Sequence, residues 1–224
     1  MPVDRDAAIE ITAYKAVPPF AYGRIKDIRA RWALDEIGLP YRTRLIDGIF
    51  EDKPQDYMAD QPFGQVPVYK EDGLTLFESG SILIHIGEKD ARLLPRDARR
   101  RGRAISWMIA ALNSVEPMIQ TLVILTVKGQ GADWLADAMA ATKPFAEQRL
   151  ARLSQALGDR EWLEEHFSIG DIVMIDVLRN ANPQLLAPHP NLTAYVARGT
   201  ARAAFQSAMA AHLADCAVGE PLPA

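Results

Sequence analysis

The sequence predicts an α+β fold, with a small mixed α/β domain over residues 1–90 followed by an all-helical bundle domain over 96–224. Three observations predict it. β-branched runs alternate with a helical pattern only in the first third of the chain. A hairpin signal, Asp72-Gly73, separates two short apolar runs there. From Pro95 onward, alanine- and leucine-rich stretches at helical spacing leave no convincing strand. With 224 residues and 49% hydrophobic content, the chain can bury two small cores.

The elements follow in order. "AIEITAY" (8–14) is a first strand, and "RIKDIRARWALDEIGL" (24–39) is a helix with Ile25, Ile28, Trp32 and Ile37 near helical spacing. Gly38 and Pro40 stop it, because glycine suits the exit turn and proline cannot continue the helix. "YRTRLI" (41–46) is a second strand, which makes a βαβ unit with parallel strands. "DGIFEDKPQDYMAD" is expected to be irregular. "QVPVYK" and "LTLFE" form the hairpin, and "SGSILIHIGEK" closes the unit as a helix. This βαβ-ββα order resembles a thioredoxin-like domain. Beyond it, the stretches 97–127, 133–158, 169–181 and 191–216 read as helices, with Pro117 and Pro144 expected to kink or break the first two.

Composition narrows the function. A formal charge of −4 gives no global attraction for nucleic acid or anionic lipid. The six arginines from Arg92 to Arg103 have no aromatic interleaving and read as a solvated or ion-paired helix start. The N-terminus lacks a signal-like apolar core and no apolar run reaches bilayer length, so a cytoplasmic address is the default expectation. Cys216 is the single cysteine, which rules out an internal disulfide, and the four histidines lack ligand spacing, so no metal is expected.

The segment "QPFGQVPVYKEDGLTLFESGSILIHIGEK" (61–89) carries the chemistry. Pro67 cannot donate to a sheet ladder. A cis Val66-Pro67 bond would leave the Val66 N–H and C=O outside the ladder, free to pair with an extended peptide-like ligand. Pro67 also fits an edge strand protected against aggregation. Ser79 stands where a helix N-cap belongs, a place whose free N–H groups favour a carboxylate, and Glu78 beside it offers a carboxylate to an ammonium. Together they suit an amino-acid terminus. Alternatively, Ser79 only caps its helix and Glu78 is a solvated acid.

"FGQVPVYKEDGLTLFESGSILIHI" resembles the glutathione-binding signature of the cytosolic glutathione transferase family, of bacterial type. The resemblance extends over the whole chain in domain order and length. It implies that Val66 and Pro67 provide the contact to the cysteinyl backbone of glutathione, that Glu78 and Ser79 hold the γ-glutamyl end, and that Gln65 and Lys53 add polar contacts, Lys53 to the glycyl carboxylate. "FSIGDIVMIDVLR" (167–179) resembles the family's helix-capping segment, with Ser168 and Asp171 as the capping pair.

A glutathione enzyme must favour the thiolate, since a free thiol with a pKa of about 8.5 is mostly protonated at neutral pH. In the family, the donor is a strand-end Tyr or a Ser or Cys in the following loop. Here the strand ends in Tyr14, and the loop "KAVPPFAYGR" contains no Ser, Thr or Cys. Tyr14, Tyr22 and backbone N–H groups at the helix start remain as candidate donors. Cys216, on the tail of the second domain, is not expected to substitute. The electrophile pocket is expected between the domains, lined by Phe20, Arg103 and Trp107. The resemblance implies a glutathione transferase that conjugates its cosubstrate glutathione to a hydrophobic electrophile, acts as a homodimer, and uses no metal, nucleic acid or membrane. Two alternatives stand beside it: a noncatalytic binding or regulatory module of the same fold, and a glutathione-dependent reductase or peroxidase.

Overall fold

The computed structural model describes residues 3–48 and 52–217. The chain divides into two compact units. One comprises the residues up to Leu93 together with those from Ala201 onward, and the other is Leu94–Thr200.

The first unit is built on a four-stranded sheet of order β2-β1-β3-β4. β1 (Ile9–Tyr14) runs parallel to β2 (Tyr41–Ile46), in register from Ile9 opposite Tyr41 to Tyr14 opposite Ile46. β3 (Tyr69–Glu71) is antiparallel to β1, and β4 (Leu74–Leu76) is antiparallel to β3. Asp72 and Gly73 both take positive φ, 47° and 80°, as a type I′ hairpin turn requires. Helix α1 (Asp27–Ile37) connects the parallel strands and ends where Gly38 adopts the left-handed conformation, with the Leu39 N–H bonded back to the Leu34 carbonyl. α3 (Ser79–Lys89) packs against α1. This is the thioredoxin-like domain the sequence predicts.

Three local departures have physical causes. β3 begins only at Tyr69, because Pro67 has no N–H for a ladder. The stretch expected to be irregular contains a short helix, α2 (Gln55–Asp60), which starts directly after Pro54. Between β1 and α1, Pro19–Ala21 forms a 3-10 turn.

The largest departure is at the C-terminus. The single helix expected over 191–216 is two helices, α9 (Pro190–Thr200) and α10 (Ala203–Cys216), parted where Arg202 takes an extended conformation. α10 belongs to the first unit rather than to the helical one, because it packs on α1. Polar and aromatic contacts decide this. Asp27 of α1 pairs with His212, Arg31 pairs with Asp215, and Trp32 meets Phe205 edge-on with ring centroids 4.9 Å apart.

In the second unit, α4 (Ala98–Ala110), a π-helical segment (Ala111–Val115) and α5 (Glu116–Lys128) follow without a break. The wider π turn just upstream accommodates Pro117, so no gap opens. Pro144 lies inside α6 (Leu135–Leu157), which also continues through it, on an exposed face where water can satisfy the freed carbonyl. By length and composition alone, Ala98–Lys128 is long and apolar enough to cross a membrane, a run the sequence reading did not find. Here α4 packs on α7 (Ile169–Arg179) and α5 on α6. A short α8 (Pro183–Leu186) precedes α9.

Candidate functional site

The Val66-Pro67 peptide bond is cis. The register pairs Tyr69 of β3 with Leu76 of β4, so the chain entering β3, Val66–Val68, runs alongside the chain leaving β4, Phe77–Ser79. An edge-on contact between Phe63 and Phe77, centroids 6.3 Å apart, also brings the chain shortly before Val66 against the end of β4. The residues singled out at the two ends of the motif therefore come together. Among the described residues, neither the N–H nor the C=O of Val66 takes a hydrogen-bond partner, although the Val66 side chain is buried. An unpaired backbone edge beside a sheet is where an extended ligand adds its own hydrogen bonds.

At the start of α3 the roles of the pair differ from the sequence expectation. Glu78, not Ser79, occupies the N-cap position, and α3 receives no side-chain cap. Its first-turn N–H groups therefore remain available to an anion. Glu78 has φ 66° and ψ 117°, outside the regions where a non-glycine residue rests comfortably. Ser79 is the first helical residue, and its buried hydroxyl accepts a 3.1 Å bond from the Nη1 of Arg29, a buried arginine on α1. Sequence reasoning missed Arg29. Its only signal was a charge on the face of α1 that carries Ile25, Ile28 and Trp32.

The candidate thiol donors separate clearly. Tyr14 is buried in one cluster with Val17, Ala21, Ile25, Tyr57 and Val66, whereas Tyr22 is 38% exposed at the end of the 3-10 turn. Burial, followed by the nearby Tyr57 and Asp27, pushes the Tyr14 hydroxyl up to about 12, so it keeps its proton at neutral pH and can donate it in a hydrogen bond. Lys53 lies over the Tyr14 ring, 5.1 Å from its centroid, and also donates to the Gly48 carbonyl. Gln65 has an exposed side chain, and Phe20 is 43% exposed on the 3-10 turn.

Cys216 is not remote. α10 brings it into the same cluster as Tyr14 and Val66, only 2% exposed, with its Sγ 3.7 Å from His212 Nε2. Chain distance misled the sequence reading here, because it assigned α10 to the other domain. Burial pushes His212 down, but the charge of Asp27 and the hydrogen bond to it prevail and lift His212 to about 9. Among the described residues, no group of three His, Cys, Asp or Glu side chains is placed to hold a metal ion.

In the second unit, Arg103 and Trp107 share one partner. Arg103 Nε and Trp107 Nε1 each donate 2.7 Å bonds to the Glu164 carboxylate. Trp107 also lies against α7, where a Cβ on Gly170 would come within 2.9 Å of the Trp107 Cβ. Ser168 and Asp171 open α7 with reciprocal bonds. The Gly170 N–H reaches Ser168 Oγ at 3.2 Å, and the Ser168 N–H reaches Asp171 Oδ2 at 2.9 Å.

Known proteins resemble this chain in sequence and in fold. Residues 20–88 match the family model of the glutathione S-transferase N-terminal domain. Glutathione S-transferase F14 of Arabidopsis thaliana is 28% identical over 212 residues, covering 87% of this chain and 84% of that protein. Maleylacetoacetate isomerase of Mus musculus is 28% identical over 174 residues, covering 74% of this chain and 78% of that protein. A solved glutathione transferase from Burkholderia graminis, with two glutathione molecules bound per subunit, has a TM-score of 0.75 at 25% identity, covering 90% of this chain and 87% of that one.

Proposed function

Because the chain belongs to the glutathione transferase family, we propose that it is itself a glutathione transferase, joining the glutathione thiolate to a hydrophobic electrophile. The observation that carries this reading is the unpartnered Val66 backbone lying alongside the uncapped start of α3. Glutathione is an extended tripeptide with a zwitterionic γ-glutamyl end. Its cysteinyl N–H and C=O pair with Val66, its γ-glutamyl carboxylate meets the Ser79 hydroxyl and the first-turn N–H groups, and its ammonium meets Glu78.

Gln65 adds a polar contact, and Lys53 meets the glycyl carboxylate. Tyr14 is the thiol's hydrogen-bond donor, favoured over Tyr22 by its place in the Val66 cluster. Because Tyr14 retains its proton, it stabilises the thiolate as a donor rather than acting as a base. The thiol proton leaves to water, and the sulfur forms a carbon–sulfur bond to the electrophile as the bond to its leaving group breaks, the carbon–halogen bond of an aryl halide releasing halide; Phe20 offers apolar surface for the electrophile. The reading includes a homodimer, which sedimentation tests, and a cytoplasmic address, which cell fractionation tests.

A second reading is a noncatalytic glutathione-binding module. The loop "KAVPPFAYGR", without Ser, Thr or Cys, favours it. One experiment separates the two. Glutathione is titrated calorimetrically into the protein and into Glu78→Ala, with ultraviolet difference absorbance for bound thiolate and an aryl halide as electrophile. Binding lost on mutation, a thiolate band at neutral pH and turnover reduced by Tyr14→Phe bear out the transferase. Binding without thiolate or turnover leaves the module, and no binding sinks both.

A further inference from the structure

The groups that flank Val66 are held by a buried relay that neither the motif nor the proposed chemistry uses. The Val68 N–H donates to Thr12 Oγ1 at 2.6 Å, Thr12 Oγ1 lies 3.2 Å from the Tyr57 hydroxyl oxygen, and the Tyr57 hydroxyl donates to the Gln65 carbonyl. Each hydroxyl carries one proton, so the direction is fixed. Thr12 accepts from Val68 and gives its proton to the Tyr57 oxygen, while Tyr57 gives its own to Gln65. The Thr12 N–H closes the set by donating to the Val68 carbonyl at 2.9 Å. Tyr57 is fully buried and Thr12 is 1% exposed, so water does not compete for the Val68–Thr12 and Thr12–Tyr57 bonds, while the Tyr57–Gln65 bond is part-buried.

The outcome is selective. Gln65 and Val68, on either side of the Val66-Pro67 dipeptide, are anchored, whereas the Val66 N–H and C=O have no partner among the described residues. The Gln65 carbonyl and the Val66 N–H belong to one peptide group, so the bond from Tyr57 sets the direction in which the Val66 N–H points, and the bonds to Thr12 hold the chain immediately after Pro67.

We propose that Thr12 and Tyr57 are positioning residues of the glutathione site, fixing the peptide groups on both sides of Val66 so that its backbone stays open to the cysteinyl peptide of the ligand. This rests on the proposed glutathione-binding reading. It assigns a role to α2, whose residue Tyr57 bridges Thr12 of β1 and the Gln65 carbonyl, and it makes the site depend on two hydroxyls outside the proposed ligand contacts.

The test measures glutathione affinity by calorimetry and stability by urea denaturation for the wild type, Tyr57→Phe, Thr12→Val and Thr12→Ser. Tyr57→Phe keeps the buried ring and removes only the hydroxyl. It is expected to weaken glutathione binding about tenfold in protein that remains folded by circular dichroism, the equivalent of one hydrogen bond's worth of lost preorganisation. Thr12→Val is expected to do the same, whereas Thr12→Ser, which restores the hydroxyl, returns affinity to within about twofold of wild type. If Thr12→Val does not fold, the pair Tyr57→Phe and Thr12→Ser still decides. A purely structural role predicts lowered urea midpoints with glutathione affinity of the folded variants unchanged, and that result overturns the proposal. Wild-type protein that binds no glutathione overturns the underlying reading instead, so the two failures are distinguishable.

Discussion

His212 Nδ1 lies 3.0 Å from Asp27 Oδ2, and this buried pair ties α10 to α1. Arg31 reinforces it, donating to Asp27 at 2.7 Å and to Asp215 at 2.6 Å. Removing one member of such a network leaves a buried charge unmatched, which costs far more than losing a surface pair.

The pair gives stability a definite pH dependence. His212 is raised from 6.5 to about 9, so its contribution is fully present below pH 6.5 and is lost as pH rises through 9. The difference amounts to on the order of 3 kcal/mol. Asp27 has the opposite sign. Burial pushes it up, but His212 and Arg31 hold it below the usual carboxylate range, so its contribution is lost only in acid. Urea midpoints are expected to fall between pH 6.5 and pH values above 9, and His212→Gln is expected to flatten that fall. An equal fall in the variant would show that other groups carry the dependence.

Glu78 sets stability against binding. Its positive φ costs about 1–3 kcal/mol in a residue with a Cβ. Glycine relieves that strain but adds unfolded-chain entropy of about 0.5–1 kcal/mol, so Glu78→Gly is expected to stabilise the fold by about 1 kcal/mol. The same change removes the carboxylate proposed to meet the ligand's ammonium, and glutathione affinity falls. Glu78→Ala loses affinity without the gain. Denaturation and calorimetry on the two variants check this, and a Glu78→Gly protein less stable than Glu78→Ala would contradict it.

The capping pair of α7 belongs to stability alone. Ser168→Ala is expected to cost about 0.5–2 kcal/mol. Asp171→Ala is expected to cost more, on the order of 3 kcal/mol, because the Asp171 carboxylate also accepts from the Leu163 N–H and the Tyr195 hydroxyl, at 2.9 and 2.8 Å. Urea midpoints should fall in that order, with glutathione affinity of the folded variants unchanged. Unchanged midpoints would remove the caps from the account.

Cys216 sits where a reactive thiol would be conspicuous, yet it is buried. In native protein it is expected to react with a chromogenic disulfide reagent orders of magnitude more slowly than in denaturant, with Cys216→Ala giving the blank. Rapid native labelling would show that α10 opens and exposes the cluster around Tyr14.

Legible in the sequence alone are the βαβ-ββα order, the glycine-ended α1, the Asp72-Gly73 hairpin, the capping box at Ser168 and the proline-bearing segment from Gln65 to Ser79. These depend on local rules: a residue's own φ preference, a missing N–H at proline, or a periodicity read over a few turns. Long-range packing returns α10 to α1, puts Cys216 and Tyr14 in one cluster, stands Arg29 behind Ser79, and sets Tyr57 and Thr12 against the turn around Val66. Each of these joins residues far apart in the chain by burial and by matching donors to acceptors. A buried arginine or tyrosine looks like any other until its partner is known, because what it contributes is set by the groups that take it out of water.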